Sequence, residues 1–144
     1  MATMQIRIKK LDPRALIPVQ GSISAAGYDL TAIEKKWDEE HDCFVYRTGL
    51  AFEIPVGYAG FIFPRSSIYK MVNRMSNCVG VIDSDYRGEV TVVFDYGNNS
   101  GMEYDVGDRV AQIVIMPVVD VWFREADELS ETERGTNGYG STGR

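Results

Sequence analysis

The chain has few of the residues that usually hold metals or build disulfide frameworks. Its 144 residues include two cysteines and one histidine. Cys43 and Cys78 are distant in sequence and neither belongs to a CxxC pair, so we expect both to be reduced. His41 alone offers little for a zinc site or a Ser-His-Asp triad, and its acidic neighbours suggest a solvated hairpin loop.

Long apolar runs and a surplus of positive charge are also missing. No stretch is long enough to span a bilayer, and residues 1–10 alternate charged and apolar side chains where a signal peptide would be apolar. We therefore expect a cytoplasmic protein that does not bind membranes. The net charge of −6 argues against direct nucleic-acid binding, although a few local arginines can still bind a small anion.

What the chain does contain is many short segments rich in Val, Ile, Phe and Tyr, with turn signals between them. The 44% hydrophobic and 25% charged fractions are ordinary for a soluble domain with one core. Short strands at near-regular spacing indicate an all-β barrel or sandwich. The predicted strands cover residues 5–9, 43–46, 50–54, 61–63, 79–82, 89–96, 110–116 and 118–123.

One segment favours a helix instead. Across residues 66–74 and the residue that follows, Ile68, Met71, Val72 and Met75 fit one face of a short helix. Ser66 is its expected N-cap. Further on, the sequence becomes acidic and then glycine-rich, which predicts a domain of residues 1–126 followed by a mobile arm of residues 127–144.

The last eleven residues, 134–144, carry the parts needed to close over a phosphorylated molecule that bears a ring. Glycines let the backbone approach a ligand closely, Ser141 and Thr142 offer hydroxyls, and Arg134 supplies positive charge. Tyr139, beside Gly140, adds a flat aromatic face. On composition alone, a solvated tail is the better explanation.

Two segments carry polar residues in places that suit chemistry. Arg65, Ser66 and Ser67 stand at the start of the predicted helix, where free N–H groups suit an anion, although a simple cap beside a surface arginine fits as well. Residues 80–90 indicate a β-hairpin whose turn presents carboxylates to a pocket. On these grounds Asp85 and Glu89 compete as general base for a water molecule, and ordinary turn-forming acids also explain the segment.

Two shorter segments add further candidates. Arg109 and Gln112 begin a strand that is otherwise built for burial, and the Gln112 amide can donate to a phosphate oxygen or satisfy backbone groups. Asp29 stands two residues after Gly27. Its carboxylate can be an outer metal ligand or can simply end a strand.

Taken in their order along the chain, the five segments around Asp29, around Arg65, at residues 80–90, around Arg109 and at residues 134–144 resemble the five motifs of the trimeric deoxyuridine triphosphate nucleotidohydrolases (dUTPases). The resemblance runs from residue 25 to residue 143 and is most specific in residues 80–88 and in the tail. It implies a distorted jelly-roll β-barrel, assembled as a homotrimer with active sites shared between subunits. It also implies Mg²⁺-assisted hydrolysis of dUTP to dUMP and pyrophosphate, which limits uracil incorporation into DNA and supplies dUMP for thymidylate synthesis.

The resemblance implies roles for several residues of the segment 80–90 and for Asn77, which lies just before it. Asp83 would be the base that deprotonates the water attacking the α-phosphorus. Tyr86 would stack on the deoxyribose and leave no room for a 2′-hydroxyl. Asn77 and the backbone around Gly80 and Ile82 would bind the uracil edge and reject cytosine.

The resemblance also implies how the phosphates and the metal are held. A second subunit would supply the phosphate-binding side chains, which are Arg65, Ser66, Ser67 and Gln112. Asp29 would contact Mg²⁺ through a water, with the triphosphate oxygens as the main ligands.

The arm has implied roles too. Arg134, Ser141 and Thr142 would contact the γ-phosphate, while Tyr139 would stack over uracil, with Gly140 also at the substrate. Arg109 matches one of the motifs, but we expect it to be structural.

Two other functions remain open on sequence grounds. A dCTP deaminase shares the fold and binds a similar nucleotide, but the residue 82–88 hairpin and the glycine-rich tail favour triphosphate hydrolysis. A non-catalytic interaction module is a different class of function, and it would have no need of Asp83.

Overall fold

The computed structural model describes residues 3–97 and 101–140. Over these residues the chain forms short strands and one 3-10 helix, and the all-β prediction is confirmed. The elements in chain order are β1 (Arg7–Lys10), β2 (Val19–Gln20), β3 (Tyr28–Thr31), β4 (Glu34–Asp38), β5 (Cys43–Arg47), β6 (Leu50–Glu53), β7 (Tyr58–Phe63), the 3-10 helix (Ser66–Lys70), β8 (Gly80–Ile82), β9 (Thr91–Asp95) and β10 (Arg109–Pro117).

The strands pair antiparallel in three sheets. The largest has the order β2-β3-β10-β7-β8, the second has the order β4-β5-β9, and β1 pairs with β6. Strand β10 is central in the largest sheet, with Gln112 opposite both Asp29 of β3 and Phe63 of β7. This register brings three of the segments singled out in the sequence to one place.

The core lies between the inner faces of these sheets. Tyr46, Phe94 and Tyr104 stack edge to face at its centre, with neighbouring ring centroids 5.4 Å apart. The Tyr46 hydroxyl donates to the Tyr104 carbonyl at 2.8 Å, which satisfies a buried polar group. The remaining buried residues of the core are Ala15, Leu30, Ala32, Leu50, Phe52, Ile54, Ile62, Met75, Val90, Val92, Val110, Ala111 and Ile113.

The hairpin expected around His41 is present between β4 and β5. Asp42 adopts a positive φ of 53° at the turn, and exposed His41 lies 3.0 Å from the Asp38 carboxylate. Both cysteines are free; Cys43 is buried and Cys78 is exposed. Burial raises the pKa of the Cys43 thiol.

Three strand and helix predictions are wrong. Residues 118–123 are exposed and form no strand. The Val118 N–H donates to the Gly57 carbonyl, but beyond this bond the segment has no partner strand within residues 3–97 and 101–140. The helix is a 3-10 helix of Ser66–Lys70 and is shorter than predicted. Its N-cap is Arg65 in extended conformation, without a side-chain capping bond, so Ser66 is the first helical residue and not the cap.

The predicted hairpin across residues 80–90 is also wrong as a pairing. β8 pairs with β7, whereas β9 pairs with β5 in another sheet. The segment between them therefore crosses from one sheet to the next. Sheet-crossing connections of this kind are what close a sandwich or barrel.

Strands β2, β3 and β4 escaped prediction because they are short or polar. β4 reads Glu-Lys-Lys-Trp-Asp and contains one apolar residue, and β3 contains Asp29. Among the described residues, no helix is long and apolar enough to cross a membrane.

Candidate active site

Residues in and around the segment 80–90 form a pocket of about 260 Å³ at the edge strand β8. Five residues predicted for the site line it together: Asn77, Gly80, Ile82, Asp83 and Tyr86. β8 is at the end of its sheet, so alternate backbone groups of this strand face away from β7. Such groups are suited to bind the edge of a flat polar ring.

The loop after β8 is held by a turn and by the Tyr86 ring. The Tyr86 N–H donates to the Asp83 carbonyl at 3.2 Å, and the Tyr86 hydroxyl donates to the Glu89 carbonyl at 3.1 Å. A Cβ on Gly88 would stand 2.4 Å from the Tyr86 hydroxyl oxygen. Glycine is therefore required at position 88 for the ring to lie on the backbone.

The three carboxylates of this loop have different surroundings. Asp83 and Asp85 are exposed, whereas Glu89 is partly buried and fully engaged. Glu89 Oε1 accepts the Gly49 N–H at 2.7 Å, and Oε2 accepts from Arg47 Nε at 3.0 Å. Glu89 is thus a structural anchor, and Asp83, at the end of β8 in the pocket, is free to meet a water molecule.

Asn77 has most of its side chain committed to the fold. Its Oδ1 accepts the Val93 N–H at 2.9 Å, and its Nδ2 donates to the Thr91 carbonyl at 3.3 Å. These bonds fasten the pocket to β9. A Cβ on Gly80 would stand 3.1 Å from the Asn77 carbonyl oxygen, so glycine keeps the pocket floor clear.

A second group of polar residues gathers where β3, β7 and β10 meet. Arg65 Nε donates to Asp29 Oδ1 at 2.8 Å, and Arg109 donates to Oδ2 at 3.2 Å. Gln112 Nε2 donates to the Pro64 carbonyl at 3.0 Å. Asp29 is buried, whereas the Arg65 and Arg109 side chains are 26% and 53% exposed. The Arg65–Asp29 pair is thus partly sheltered from water and holds the Arg65 guanidinium in place.

Gly27 is necessary for this arrangement. A Cβ at position 27 would stand 2.2 Å from the Gln112 side-chain oxygen. Glycine at this point therefore lets the glutamine lie flat against β3.

Ser66 and Ser67 follow Arg65 at the start of the 3-10 helix. Since neither hydroxyl caps the helix, both are available for a ligand. Five residues align few peptide dipoles, so the positive charge at this point comes mainly from Arg65.

The described part of the arm is exposed and makes local contacts. Arg134 Nε donates to the Asn137 carbonyl at 2.9 Å, and Tyr139 is fully exposed. Gly140 has a positive φ of 77°. Ser141 and Thr142, predicted to bind phosphate, lie outside the described residues.

Asp83 and the Arg65 group lie towards opposite ends of strand β7, although the pocket extends along that strand as far as Ile62. Ile82 lies opposite Gly60, so Asp83 is near the beginning of β7, whereas Arg65 follows the end of the same strand. About six extended residues separate the two, which corresponds to about 20 Å. The phosphorus atoms of one triphosphate are much closer together than this.

Comparison with known proteins assigns the chain to a family. The family model described as dUTPase matches residues 14–143. A deoxyuridine 5′-triphosphate nucleotidohydrolase of Nautilia profundicola is 45% identical over 142 residues, covering 98% of this chain and 100% of that protein. A relative of Dictyostelium discoideum, described as mitochondrial, is 42% identical, and the match covers 95% of this chain and 76% of that protein.

Solved structures confirm the distorted jelly-roll. The Staphylococcus bacteriophage 80alpha dUTPase, solved with dUPNHPP, has a TM-score of 0.84 at 26% identity, over 99% of this chain and 100% of that chain. A mutant dUTPase of S. aureus phage phi11, described with a structural Mg(II) ion, has a TM-score of 0.72 at 22% identity, over 87% and 98%. At that identity the likeness is one of fold. The family model, the relatives and the solved structures match almost the whole length, and the chain belongs to the dUTPase family.

Proposed function

We propose that this dUTPase-family enzyme hydrolyses dUTP to dUMP and pyrophosphate at a site that two neighbouring subunits build together. One subunit supplies the β8 pocket and the other supplies the Arg65 group. The observation that carries this proposal is the exposed Asp83 carboxylate, which stands in one pocket with an aromatic ring and an edge strand. Removing dUTP limits uracil incorporation into DNA and yields dUMP for thymidylate synthesis.

In the proposed reaction, Asp83 takes a proton from a water molecule whose oxygen forms a bond to the α-phosphorus. The bond from that phosphorus to the bridging oxygen breaks, and pyrophosphate leaves with the electron pair. Because Asp83 is exposed and has no ion pair with any described residue, its carboxylate can receive the proton without first breaking such a contact.

Recognition of the base and the sugar is assigned to the same pocket. The free edge of β8 at Gly80 and Ile82 would pair with the uracil edge. Asn77 would contribute mainly through its backbone, since its side chain already bonds β9. Tyr86 would lie against the deoxyribose and exclude a 2′-hydroxyl.

The phosphates would be bound by the neighbouring subunit's Arg65 group. Arg65 is held by Asp29, the Ser66 and Ser67 hydroxyls are not used by the helix, and Gln112 lies beside Pro64. About 20 Å along β7 separates this group from Asp83 of the same chain, which favours a site shared between chains.

Mg²⁺ fits this arrangement as a metal held mainly by the substrate. Both Asp29 oxygens already accept bonds from arginines, which leaves Asp29 suited to contact the metal's water shell and not the metal itself. When bound, Mg²⁺ would withdraw charge from the triphosphate. We expect removal of Mg²⁺ with EDTA to lower the rate of hydrolysis, and addition of excess Mg²⁺ to restore it.

A homotrimer follows from the same proposal, and exposed apolar surface supports it. The segment after β10 leaves its own barrel with Val121, Trp122 and Phe123 at 61%, 78% and 94% exposure. An apolar groove of about 400 Å³ lies between β1, β7 and β10. Apolar surfaces of this kind are typical of subunit contacts. The predicted cytoplasmic location is part of the proposal as well.

The C-terminal residues would act as a closing arm from residue 127 onward. From residue 127 to residue 143, seventeen residues of extended chain span about 55 Å, which is enough to reach a neighbouring site. Truncation after Glu133 should remove the stacking of Tyr139 and the arm's phosphate contacts, and should lower turnover while the trimer persists in size-exclusion chromatography. Normal turnover of the truncated enzyme would contradict a role for the arm.

A product assay tests the function directly. The purified protein is incubated with Mg²⁺ and each of dUTP, UTP, dCTP and the other common dNTPs, and the products are separated. We expect dUMP and pyrophosphate from dUTP alone. Conversion of dCTP to dUTP would identify a deaminase instead, and uncleaved dUTP would overturn the proposal.

A further inference from the structure

Three hydrogen bonds hold Glu89 in place, two to its carboxylate and one to its backbone carbonyl. Its carboxylate accepts the Gly49 N–H at 2.7 Å and pairs with Arg47 Nε at 3.0 Å. Its backbone carbonyl accepts the Tyr86 hydroxyl at 3.1 Å. One residue thus joins the sugar-facing ring to the β5–β6 connection.

The Arg47–Glu89 pair is partly sheltered. The two side chains are 27% and 20% exposed. Arg47 also pairs with Glu34, which lies 3.8 Å from the Arg14 guanidinium. A partly buried member of a charge network keeps a defined geometry better than an isolated surface pair does.

A backbone bond nearby helps to orient the Glu89 carbonyl. The Val90 N–H donates to the Leu50 carbonyl at 2.8 Å, and the Thr48 hydroxyl donates to the Val90 carbonyl at 2.6 Å. The Glu89 carbonyl and the Val90 N–H belong to one planar peptide, so the bond to Leu50 holds both. The two bonds of the Glu89 carboxylate hold the other side of the residue, from which the chain leads back to Gly88 and Tyr86.

We propose that Arg47 and Glu89 are positioning residues that orient Tyr86 and so set discrimination between deoxyribose and ribose. The Tyr86 ring lies on Gly88, where a Cβ would be 2.4 Å from its hydroxyl, and its far end is fixed by the Glu89 carbonyl. If the carboxylate bonds are lost, residue 89 can turn about its fixed carbonyl, Gly88 moves from under the ring, and the ring opens the space where a 2′-hydroxyl would go. This inference rests on the sugar-excluding role of Tyr86 in the proposed function.

The test is the ratio of kcat/KM for dUTP to kcat/KM for UTP in Glu89→Gln and Arg47→Met. Each enzyme supplies both values, so a partly unfolded preparation lowers both equally and leaves the ratio unchanged. We expect the ratio to fall by about tenfold in each variant, since small misplacements of a positioning group have effects of this size or larger. Arg47→Lys, which keeps the charge, should lower the ratio less than Arg47→Met does.

Glu103→Gln is the matched control. Glu103 also forms a 3.0 Å ion pair, with Lys35, on another part of the fold. The ratio of kcat/KM for dUTP to kcat/KM for UTP in Glu103→Gln should equal that of the parent enzyme. A ratio that falls equally in Glu103→Gln would show a general effect of lost ion pairs and would overturn the proposal.

Tyr86→Ala separates the inference from the role on which it rests. We expect Tyr86→Ala to lower the ratio, and we expect Glu89→Gln to cause no further fall in that background. An unchanged ratio in Tyr86→Ala would remove the sugar-excluding role itself. A lowered ratio in Tyr86→Ala, with unchanged ratios in Glu89→Gln and Arg47→Met, would overturn the positioning role alone.

Discussion

At the scale of single residues, surroundings divide the work between two carboxylates of one loop. Asp83 and Glu89 are six positions apart. Residue type alone offers Asp85 and Glu89 as candidates for the base, whereas the family resemblance names Asp83. Glu89 has both oxygens engaged by Arg47 and Gly49, whereas Asp83 is exposed in the pocket. Because both of its oxygens are hydrogen-bonded, Glu89 anchors the loop, whereas the Asp83 carboxylate is available to act as a base.

The first prediction concerns Asp83→Asn. An amide of the same shape cannot accept the proton from water, so kcat should fall by roughly 10²- to 10⁴-fold while nucleotide binding persists. Stopped-flow turnover and equilibrium titration with a non-hydrolysable analogue measure the two effects. Asp85→Asn, an exposed neighbour in the same loop, is the matched control. If Asp85→Asn loses turnover and Asp83→Asn does not, the base is Asp85.

The second prediction concerns Gly27→Ala. The added methyl would stand 2.2 Å from the Gln112 side-chain oxygen, so the glutamine must leave its bond to Pro64. Because a long side chain can move aside, the unfolding free energy should fall by only about 1 kcal/mol. The kcat/KM for dUTP should fall by roughly tenfold, since a phosphate contact is misplaced.

Gly21→Ala is the control for this effect. No atom lies within 4 Å of a Cβ at position 21. We expect parental kinetics and stability from that variant in the same steady-state and thermal unfolding assays. Parental kinetics in Gly27→Ala as well would show that Gln112 does not contact the substrate.

At the scale of elements, the apolar strands could be predicted, whereas the polar or very short strands could not. Residues 43–46 and 110–116 are almost continuous apolar runs and are strands. β4, with two lysines and two acids, is a strand because it pairs with β5, and no local pattern reveals that pairing. Residues 118–123 show the converse, because a strand-like composition that finds no partner strand among the described residues forms no strand there.

The site divides in the same way. The pocket residues between positions 77 and 86 are close in sequence, so their motif predicted their grouping. The Arg65–Asp29–Arg109 group depends on the pairing of β3 with β10, which places residues 80 positions apart side by side. The sequence pattern did not predict that Arg47 anchors Glu89. The one sequence signal for such an anchor is that Glu89 is a carboxylate at the start of an apolar, strand-like run.

The third prediction concerns the 3-10 helix and Ser66. Since the hydroxyl does not cap the helix, Ser66→Ala should change the unfolding free energy by less than about 0.5 kcal/mol. The KM for dUTP should rise, because a phosphate contact is lost. Thermal unfolding and steady-state kinetics check both. A large loss of stability with an unchanged KM would show that Ser66 supports the helix and not the substrate.

At the scale of the whole molecule, the two halves of the proposed site lie at opposite ends of β7. Asp83 is near the beginning of that strand and Arg65 follows its end. About 20 Å of extended chain lies between them. This separation favours the proposed arrangement, in which neighbouring chains of a closed, symmetric oligomer supply the two halves once for each subunit. Oligomerisation would then create the site and not merely stabilise the fold.

The last prediction tests this sharing by complementation. Asp83→Asn and Arg65→Ala should each be nearly inactive alone, because every site of either homotrimer has one defect. In trimers that contain both chains, about a third of the sites (one site of the three) should combine an intact Asp83 with an intact Arg65 from a neighbour. Co-expression with two affinity tags, followed by turnover measurement on doubly purified trimers, gives the recovered activity. If each site belonged to one chain, every site would still carry a defect, and the mixed trimers would remain as inactive as the two parents.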